Sequence, residues 1–313
     1  SKYAIGVNSG TDALILSLMA IDTKYGDEII IPSHSASGTA TAVVAVGAKP
    51  IFVDIDPDTF LIDIIDLKKK ITKKTKVIIP VHLYGQSCDI TKILEIANKN
   101  KIKIIEDCAQ AHGTKFKNIH VGNFGVTGCF SFYPTKNLGA IGDGGCVITN
   151  NKVIYEKIKI LRDFGWKKRF NSSIKGLNSR LDEIQAAILR IKLRRLNQYN
   201  LKRKKIASKY FKKFSKHKYV KTPKLLKYSN HTFHQFVIKV PRNSRNKLID
   251  FCKKKKILLG IHYPIPLHNQ KAFNKLKKQN LKNVEKISKE IISLPIFPYL
   301  AEKKQNKIIK EIK

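Results

Sequence analysis

The sequence of 313 residues is short of acid: 23 aspartates and glutamates face 61 lysines and arginines, a formal charge of +38. It also has one tryptophan, one methionine, which does not stand at position 1, and five cysteines. The cysteine count is odd and no Cys-x-x-Cys pair occurs. That argues against a disulfide framework and against a zinc site. Reduced thiols in a cytoplasmic setting are expected. No apolar run reaches the length of a membrane span. The opening SKYAIGVNSGTDALILS lacks the basic start, apolar run and cleavage site of a signal peptide. Residues 2–7 read as the edge of a folded element leading into a helix, so an upstream segment is expected.

The scarcity of acid raises the question of a polyanionic partner. The excess is mainly lysine rather than arginine. It is densest after residue 200, as in Lys202 to Lys205 and Lys253 to Lys256, and it travels with abundant isoleucine and asparagine. AT-rich coding imposes that combination on solvent-facing positions. We read it as solvated surface that attracts anionic substrates. Neither nucleic acid nor a membrane is expected as a partner.

Hydrophobic residues make up 42% of the chain, enough for a sizeable core. The first two-thirds alternate strand and helix patterns. Short apolar runs at 28–32, 51–54, 76–81, 102–107, 129–133 and 145–149 read as strands. Helical stretches are expected at 11–21, 38–46, 65–72 and 90–99. This is the pattern of an α/β fold with a mostly parallel sheet flanked by helices. A long helix is expected over about 181–214, with Ser179 as its cap and Asp182 and Glu183 in the first turn. Beyond it the composition shifts. Strands at 233–240 and 257–261 suggest a smaller α/β unit. We expect a large domain over 1–200 and a small C-terminal domain over 201–313.

One lysine stands apart from the rest. In SFYPTKNLGAIGDGG, residues 131–145, Lys136 lies among aromatic, proline and glycine residues, where desolvation lowers an amine's pKa and frees it for Schiff-base chemistry. In open α/β sheets ligands sit beyond the carboxyl ends of the strands. Asp107 closes the apolar run IKIIE at such an end. Ser9-Gly10-Thr11 opens a helix, where backbone N–H groups and a hydroxyl form an anion site. Asn178 stands in a turn before the long helix. Alone, each of these is as well read as a cap, a turn or a surface charge. Together, an amine, a carboxylate for a pyridine nitrogen and a phosphate cradle are what pyridoxal phosphate requires. A metal enzyme would need clustered ligands, and His231 and His234 offer only two, with no suitably spaced carboxylate.

The chain resembles the DegT/DnrJ/StrS-type sugar-nucleotide aminotransferases nearly end to end. The resemblance is carried by SGTDAL, GAKPIFVDID, PVHLYGQ, IEDCAQAHG, GCFSFYPTKNLGAIGDGG, LRDFGW, GLNSRLDEIQAAIL and IHYPIPLH. It implies the pyridoxal-phosphate-dependent fold of aspartate aminotransferase, fold type I. It also implies roles. Lys136 matches the Schiff-base lysine and Asp107 the partner of the ring nitrogen. Gln110 matches a contact to the ring hydroxyl. Gly10, Thr11 and Ser131 match phosphate ligands. Asn178 matches a residue reaching the phosphate of the neighbouring subunit, which implies a homodimer with shared active sites. His262, Tyr263 and His268 fall in the motif near the sugar. Where Ala36 stands, many members carry an aromatic that stacks on the ring; His34 is the candidate replacement. The implied reaction moves an amino group from L-glutamate to a keto group of a nucleotide-linked deoxy sugar, for surface polysaccharide or glycoside biosynthesis. The form GLNSRLDE and the ending IHYPIPLH resemble members acting at C3 more than at C4. The family's segment upstream of SGT is absent from this chain, which bears on its activity as it stands. An inactive or regulatory homologue would be expected to lose Lys136 or Asp107, and a dehydratase branch replaces the lysine with histidine. A basic nucleic-acid-binding protein rests on charge alone.

Overall fold

The computed structural model describes residues 1–273 and 279–312. In chain order the chain runs through β1 (Tyr3–Val7), α1 (Gly10–Ala20), β2 (Glu28–Pro32), α2 (Ser37–Ala45), β3 (Lys49–Val53), α3 (Ile64–Lys70), β4 (Thr75–Ile78), α4 (Ile90–Lys99) and β5 (Lys103–Asp107). A small hairpin follows, β6 (Lys115–Phe116) and β7 (Ile119–His120), then β8 (Thr127–Ser131) and β9 (Gly145–Thr149). A seven-stranded sheet takes the order β1-β9-β8-β5-β4-β2-β3. The pairs from β8 through β5, β4 and β2 to β3 are parallel. Only β9 runs antiparallel to both its neighbours, so β1 points the same way as the rest.

Local chemistry explains these elements. The β2 run EIIIP is buried at every position, as a strand covered on both faces must be. Helix α4 is amphipathic: Ile90, Ile93, Ile96 and Ala97 are buried, and Asp89 caps it by accepting from the Lys92 amide. Helix α1 is buried on most of its circumference, Leu14, Leu16 and Leu18 included. Ser9 accepts from the Asp12 amide at 3.0 Å and sets where α1 begins.

After the sheet come α5 (Lys152–Leu161), the short hairpin β10 (Trp166–Lys168) and β11 (Asn171–Ser172), and the long α6 (Glu183–Phe214). The chain then forms β12 (Ser229–Asn230), β13 (Phe236–Lys239), α7 (Arg242–Lys254), α8 (Lys282–Ile287), β14 (Ile291–Leu294) and α9 (Glu302–Ile312). Strand β12 adds to the β6–β7 hairpin, and β13 pairs with β14 antiparallel. One large hydrophobic cluster fills both faces of the main sheet. A second joins the last turns of α6 (Ile206, Tyr210, Phe214) to β13, β14 and α9. Among the described residues no helix is long and apolar enough to cross a membrane.

Four expectations need correction. No strand forms over 257–261: only Gly260 pairs, with Ser293, and Leu258 is turned to solvent. The apolar alternation there serves one buried side chain, Ile257, at the end of α7. The strand expected at 233–240 starts at Phe236, because Phe233 takes φ +49° and the carbonyls of Phe233 and His234 turn to Arg203. The strand expected at 76–81 ends as a ladder at Ile78, and Pro80 has no N–H to extend it. Ser179 does not cap the long helix. Its Oγ accepts from the Asn8 amide at 3.1 Å, and Asp182 stands at the helix entry with no side-chain cap bond.

Candidate active site

Because β1, β2, β5 and β8 share one direction, their carboxyl ends emerge on one edge of the sheet. There the chain presents residues 9–11, 33–39, 107–110 and 131–136. Gly10, Thr11, Thr39, Asp107, Ser131 and Lys136 line one cleft of about 230 Å³.

Asp107 ends β5 and is buried. Its Oδ2 accepts from Thr39 Oγ1 at 2.8 Å and its Oδ1 from the Ala109 amide at 3.0 Å. Ser35 Oγ lies 2.8 Å from Thr39 Oγ1; since Thr39 gives its proton to Asp107, it accepts from Ser35. One lone-pair direction on each Asp107 oxygen stays open. Its neighbour Glu106 points the opposite way, as alternation along a strand requires. Glu106 accepts from His82 Nε2 at 2.9 Å and from the amides of Gly122, Phe124 and Gly125. His82, Glu106 and Cys108 are close enough to hold a metal ion. The carboxylate and the histidine are spent on hydrogen bonds, His82 Nδ1 accepting from the Cys88 amide.

Lys136 lies on the excursion between β8 and β9. That loop folds onto itself: the Lys136 amide donates to the Tyr133 carbonyl at 2.9 Å and Ala140 to Phe132 at 2.7 Å. A Cβ on Gly139 would lie 2.4 Å from the Pro134 carbonyl oxygen, so only glycine closes the turn. Burial pushes the Lys136 amine below the ordinary lysine range, and the negative charge of Asp107 opposes the shift.

The helix start is equally tight. A Cβ on Gly10 would sit 2.6 Å from Ser131 Cβ, and one on Gly145 would sit 2.3 Å from the Ser9 carbonyl oxygen. Three chain segments therefore meet at glycine distance around the first turn of α1. The first amides of that turn have no intrahelical partner. With the Thr11 and Ser131 hydroxyls they form a cradle for a phosphate-sized anion.

His34 and Gln110 do not line this cleft; they form a group with Tyr84, His262 and Tyr263. Gln110 Oε1 accepts from the Tyr84 amide, and its Nε2 donates to Tyr263 Oη at 2.8 Å. The Tyr84 hydroxyl donates to the His262 carbonyl and lies 2.7 Å from His34 Nε2. His34 Nδ1 is buried with no partner. Burial lowers His34 to about 3, so its ring is neutral, and raises Tyr263 to about 12. His262 Nδ1 meets Ser293 Oγ at 2.8 Å. His268 is not brought to the cleft: Nδ1 binds Ser33 Oγ at 2.6 Å and Nε2 binds Glu285 at 3.0 Å. Asn178 is exposed, pairs with Asp163 and does not line the cleft of its own chain. Sequence reasoning missed Thr39, Asn137 and His234. A threonine in the first turn of a helix and a loop asparagine carry no local pattern that marks them.

The residues fit a flat aromatic aldehyde bearing a phosphate ester. The amine faces the cleft that the carboxylate lines, the carboxylate keeps acceptor capacity, and the cradle fills with a side chain at no glycine. These features define a pyridoxal-phosphate-dependent aminotransferase. The chain belongs to the DegT/DnrJ/EryC1/StrS aminotransferase family, whose profile matches residues 1–313. A Geobacillus stearothermophilus protein described as a pleiotropic regulatory protein is 42% identical over 316 residues, covering 100% of this chain and 84% of its own length. The dTDP-3-amino-3,6-dideoxy-alpha-D-galactopyranose transaminase of Aneurinibacillus thermoaerophilus is 42% identical over 312 residues, covering 100% and 85%. The crystal structure of S. venezuelae DesV, in complex with a ketimine intermediate, superposes with a TM-score of 0.97 at 35% identity, covering 100% of this chain and 84% of that one. The cofactor is pyridoxal phosphate.

Proposed function

We propose that this enzyme moves an amino group from L-glutamate to the C3 keto group of a nucleotide-linked deoxy sugar. The observation that carries this is the convergence of Lys136, Asp107 and the α1 entry on one cleft. Bound there, pyridoxal phosphate supplies an electron sink for the carbon that loses or gains a proton.

In this reading Lys136 Nζ would hold the cofactor and, when free, would take a proton from or give one to the substrate carbon. Its lowered pKa supports that role, since an amine poised nearer neutrality both gives and takes a proton. Asp107, steadied by Thr39 and the Ala109 amide, holds a proton at the ring nitrogen. The α1 amides of Gly10 and Thr11, with Ser131, hold the phosphate. Gln110 would contact the ring hydroxyl, His34 would take the place of the stacking aromatic, and His262 and Tyr263 would serve the sugar. The C3 preference is supported by the 3-amino sugar named for the Aneurinibacillus relative and by the NSRLDE and IHYPIPLH motifs. A shared-site homodimer is supported by the exposed position of Asn178 and by the uncovered apolar residues Ile184, Ile191 and Leu201 on α6. For a division near residue 200 the support is the second hydrophobic cluster, which begins at Ile206, although Val237, Leu267 and Val284 pack with the main sheet. A cytoplasmic setting is supported by five unpaired thiols.

The test is absorbance of the full chain loaded with pyridoxal phosphate. The wild type is expected to show a visible band that L-glutamate bleaches and a keto sugar nucleotide restores. Lys136→Ala is expected never to show the band, and borohydride should fix the cofactor to Lys136 in the wild type alone. Attachment at another lysine would sink the assignment. Mass analysis of products from 3-keto and 4-keto sugar nucleotides separates the two positions; amination at C4 alone would remove the C3 reading and leave the transaminase.

A further inference from the structure

Asn137 follows Lys136 in sequence, and its side chain makes three contacts to two separate segments. Its Nδ2 donates to Asn200 Oδ1 on α6 at 2.9 Å and to the Thr232 carbonyl at 3.1 Å. Its Oδ1 lies 3.2 Å from His234 Nδ1. The orientation of this amide is determined twice over. Asn200 gives its own Nδ2 to the His112 carbonyl at 2.9 Å, so its oxygen must face Asn137. The Thr232 carbonyl can only accept, and it too requires the Asn137 nitrogen. The Asn137 oxygen is thus left for His234, whose Nδ1 must carry the hydrogen. Burial, with the Lys136 and Arg203 charges adding, holds the His234 ring neutral. The ring is fixed as one tautomer, with Nε2 as its acceptor. The segment that bears His234 is itself pinned: buried Arg203 on α6 donates to the carbonyls of Phe233 and Ile296 at 3.1 and 2.8 Å.

We propose that Asn137 is a positioning residue for the transamination. It locks the Lys136 loop to both α6 and the 232–234 segment, and it sets the tautomer of His234. The inference rests on the reading of Lys136 as the amine that attaches the cofactor. Three anchors on the adjacent residue fix the backbone from which the amine must reach the cofactor, release it and return.

The test loads wild type, Asn137→Ala, Asn137→Asp and Asn200→Ala with pyridoxal phosphate. It follows the visible band against pH and measures kcat and KM for L-glutamate. Asn137→Asp retains the shape but turns donors into acceptors and adds a negative charge near the amine. It is expected to raise the pH midpoint of the band by about half a unit or more, because a nearby anion favours the protonated nitrogen. Asn137→Ala is expected to lower kcat about tenfold with KM changed less than about threefold, the size of effect that a few lost hydrogen bonds produce. Asn200→Ala removes one anchor and is expected to give a smaller fall in kcat of the same kind. If Asn137→Ala and Asn137→Asp keep the wild-type midpoint and kcat, Asn137 has no positioning role. The same holds if they lose only thermal stability while midpoint and kcat stay put. If borohydride finds no cofactor on Lys136 of the wild type, the reading beneath the inference fails instead, and the two failures are told apart by that one measurement.

Discussion

At Asp107 one carboxylate is held from two sides, by the Thr39 hydroxyl and the Ala109 amide, and Ser35 stands behind Thr39. Thr39→Val keeps the branched shape and deletes the donor. It is expected to lower kcat about tenfold, about 1–2 kcal/mol in the transition state, and to weaken cofactor binding. Thr39→Ser restores the hydroxyl and is expected to recover most of both; a cofactor titration by fluorescence reads the second effect. A Thr39→Val enzyme with unchanged kcat and cofactor affinity would show that the relay does not matter. Lys136 and Asp107 are legible in the sequence because each breaks a local pattern. One is a charge in an apolar, glycine-rich turn; the other is an acid closing a run of isoleucines. Thr39 is not legible, since nothing in SGTATAVVA distinguishes a threonine aimed at a carboxylate from one aimed at a neighbouring turn. Asn137 and His234 are hidden for a stronger reason: their meaning lies in contacts between residues 97 positions apart.

Helix α6 acts as a strut along which the Lys136 loop is fastened. Gln185 accepts from the Ile141 amide at 3.0 Å, Lys192 donates to the Gly139 carbonyl at 2.6 Å, and Asn200 takes the Asn137 amide. Between them Leu189 and Leu196 pack on Leu138 and Ala140. These positions recur every three to four residues, so they share one face of the helix. Leu189→Ala and Leu196→Ala are each expected to cost about 2–4 kcal/mol, read as a lower urea midpoint, and to weaken cofactor retention. Retention unchanged in both variants would show that the loop stands without the strut. Most large elements of the first two-thirds are legible because buried β-branched runs and amphipathic helices alternate there; α5, with its lysines among the apolar positions, is missed. In the last third the reading misses α7, α8, α9 and β14. Lysine runs mask the helical faces, and the four residues of β14 are too few to show a period.

For the whole molecule, buried histidines and net charge act together. His34, His112 and His231 are each lowered by burial from 6.5 to about 3. Their unfolded forms take up protons below about pH 6.5 while the folded forms do not, so folding stability is fully present above that pH and is lost as pH falls toward 3. A net charge of +38 adds self-repulsion in the same direction. The melting temperature is expected to fall steadily from pH 7 to pH 5 by scanning calorimetry; a flat profile would contradict the buried neutral rings. The same net charge attracts an anionic sugar nucleotide to the molecule. KM for that substrate is expected to rise several-fold between about 0.05 and 0.5 M salt, with kcat unchanged, since screening shortens the reach of the field.

Strand β9, the one reversed strand of the sheet, has a consequence for how this enzyme can be altered. Because β9 returns directly beside β8, residues 132–144 leave and re-enter the sheet at paired positions, Ser131 opposite Gly145. A crossover connection carries a helix with it and cannot be exchanged without repacking a layer. This excursion can be cut out and replaced as a cassette, spliced at Ser131 and Gly145. Its compatibility is then decided largely by Gln185, Lys192 and Asn200 on α6, with Thr232 and His234 as the second anchorage. A cassette from a relative should function when those residues come with it and falter when they do not, which makes the amine-bearing segment and its anchors a single unit of inheritance.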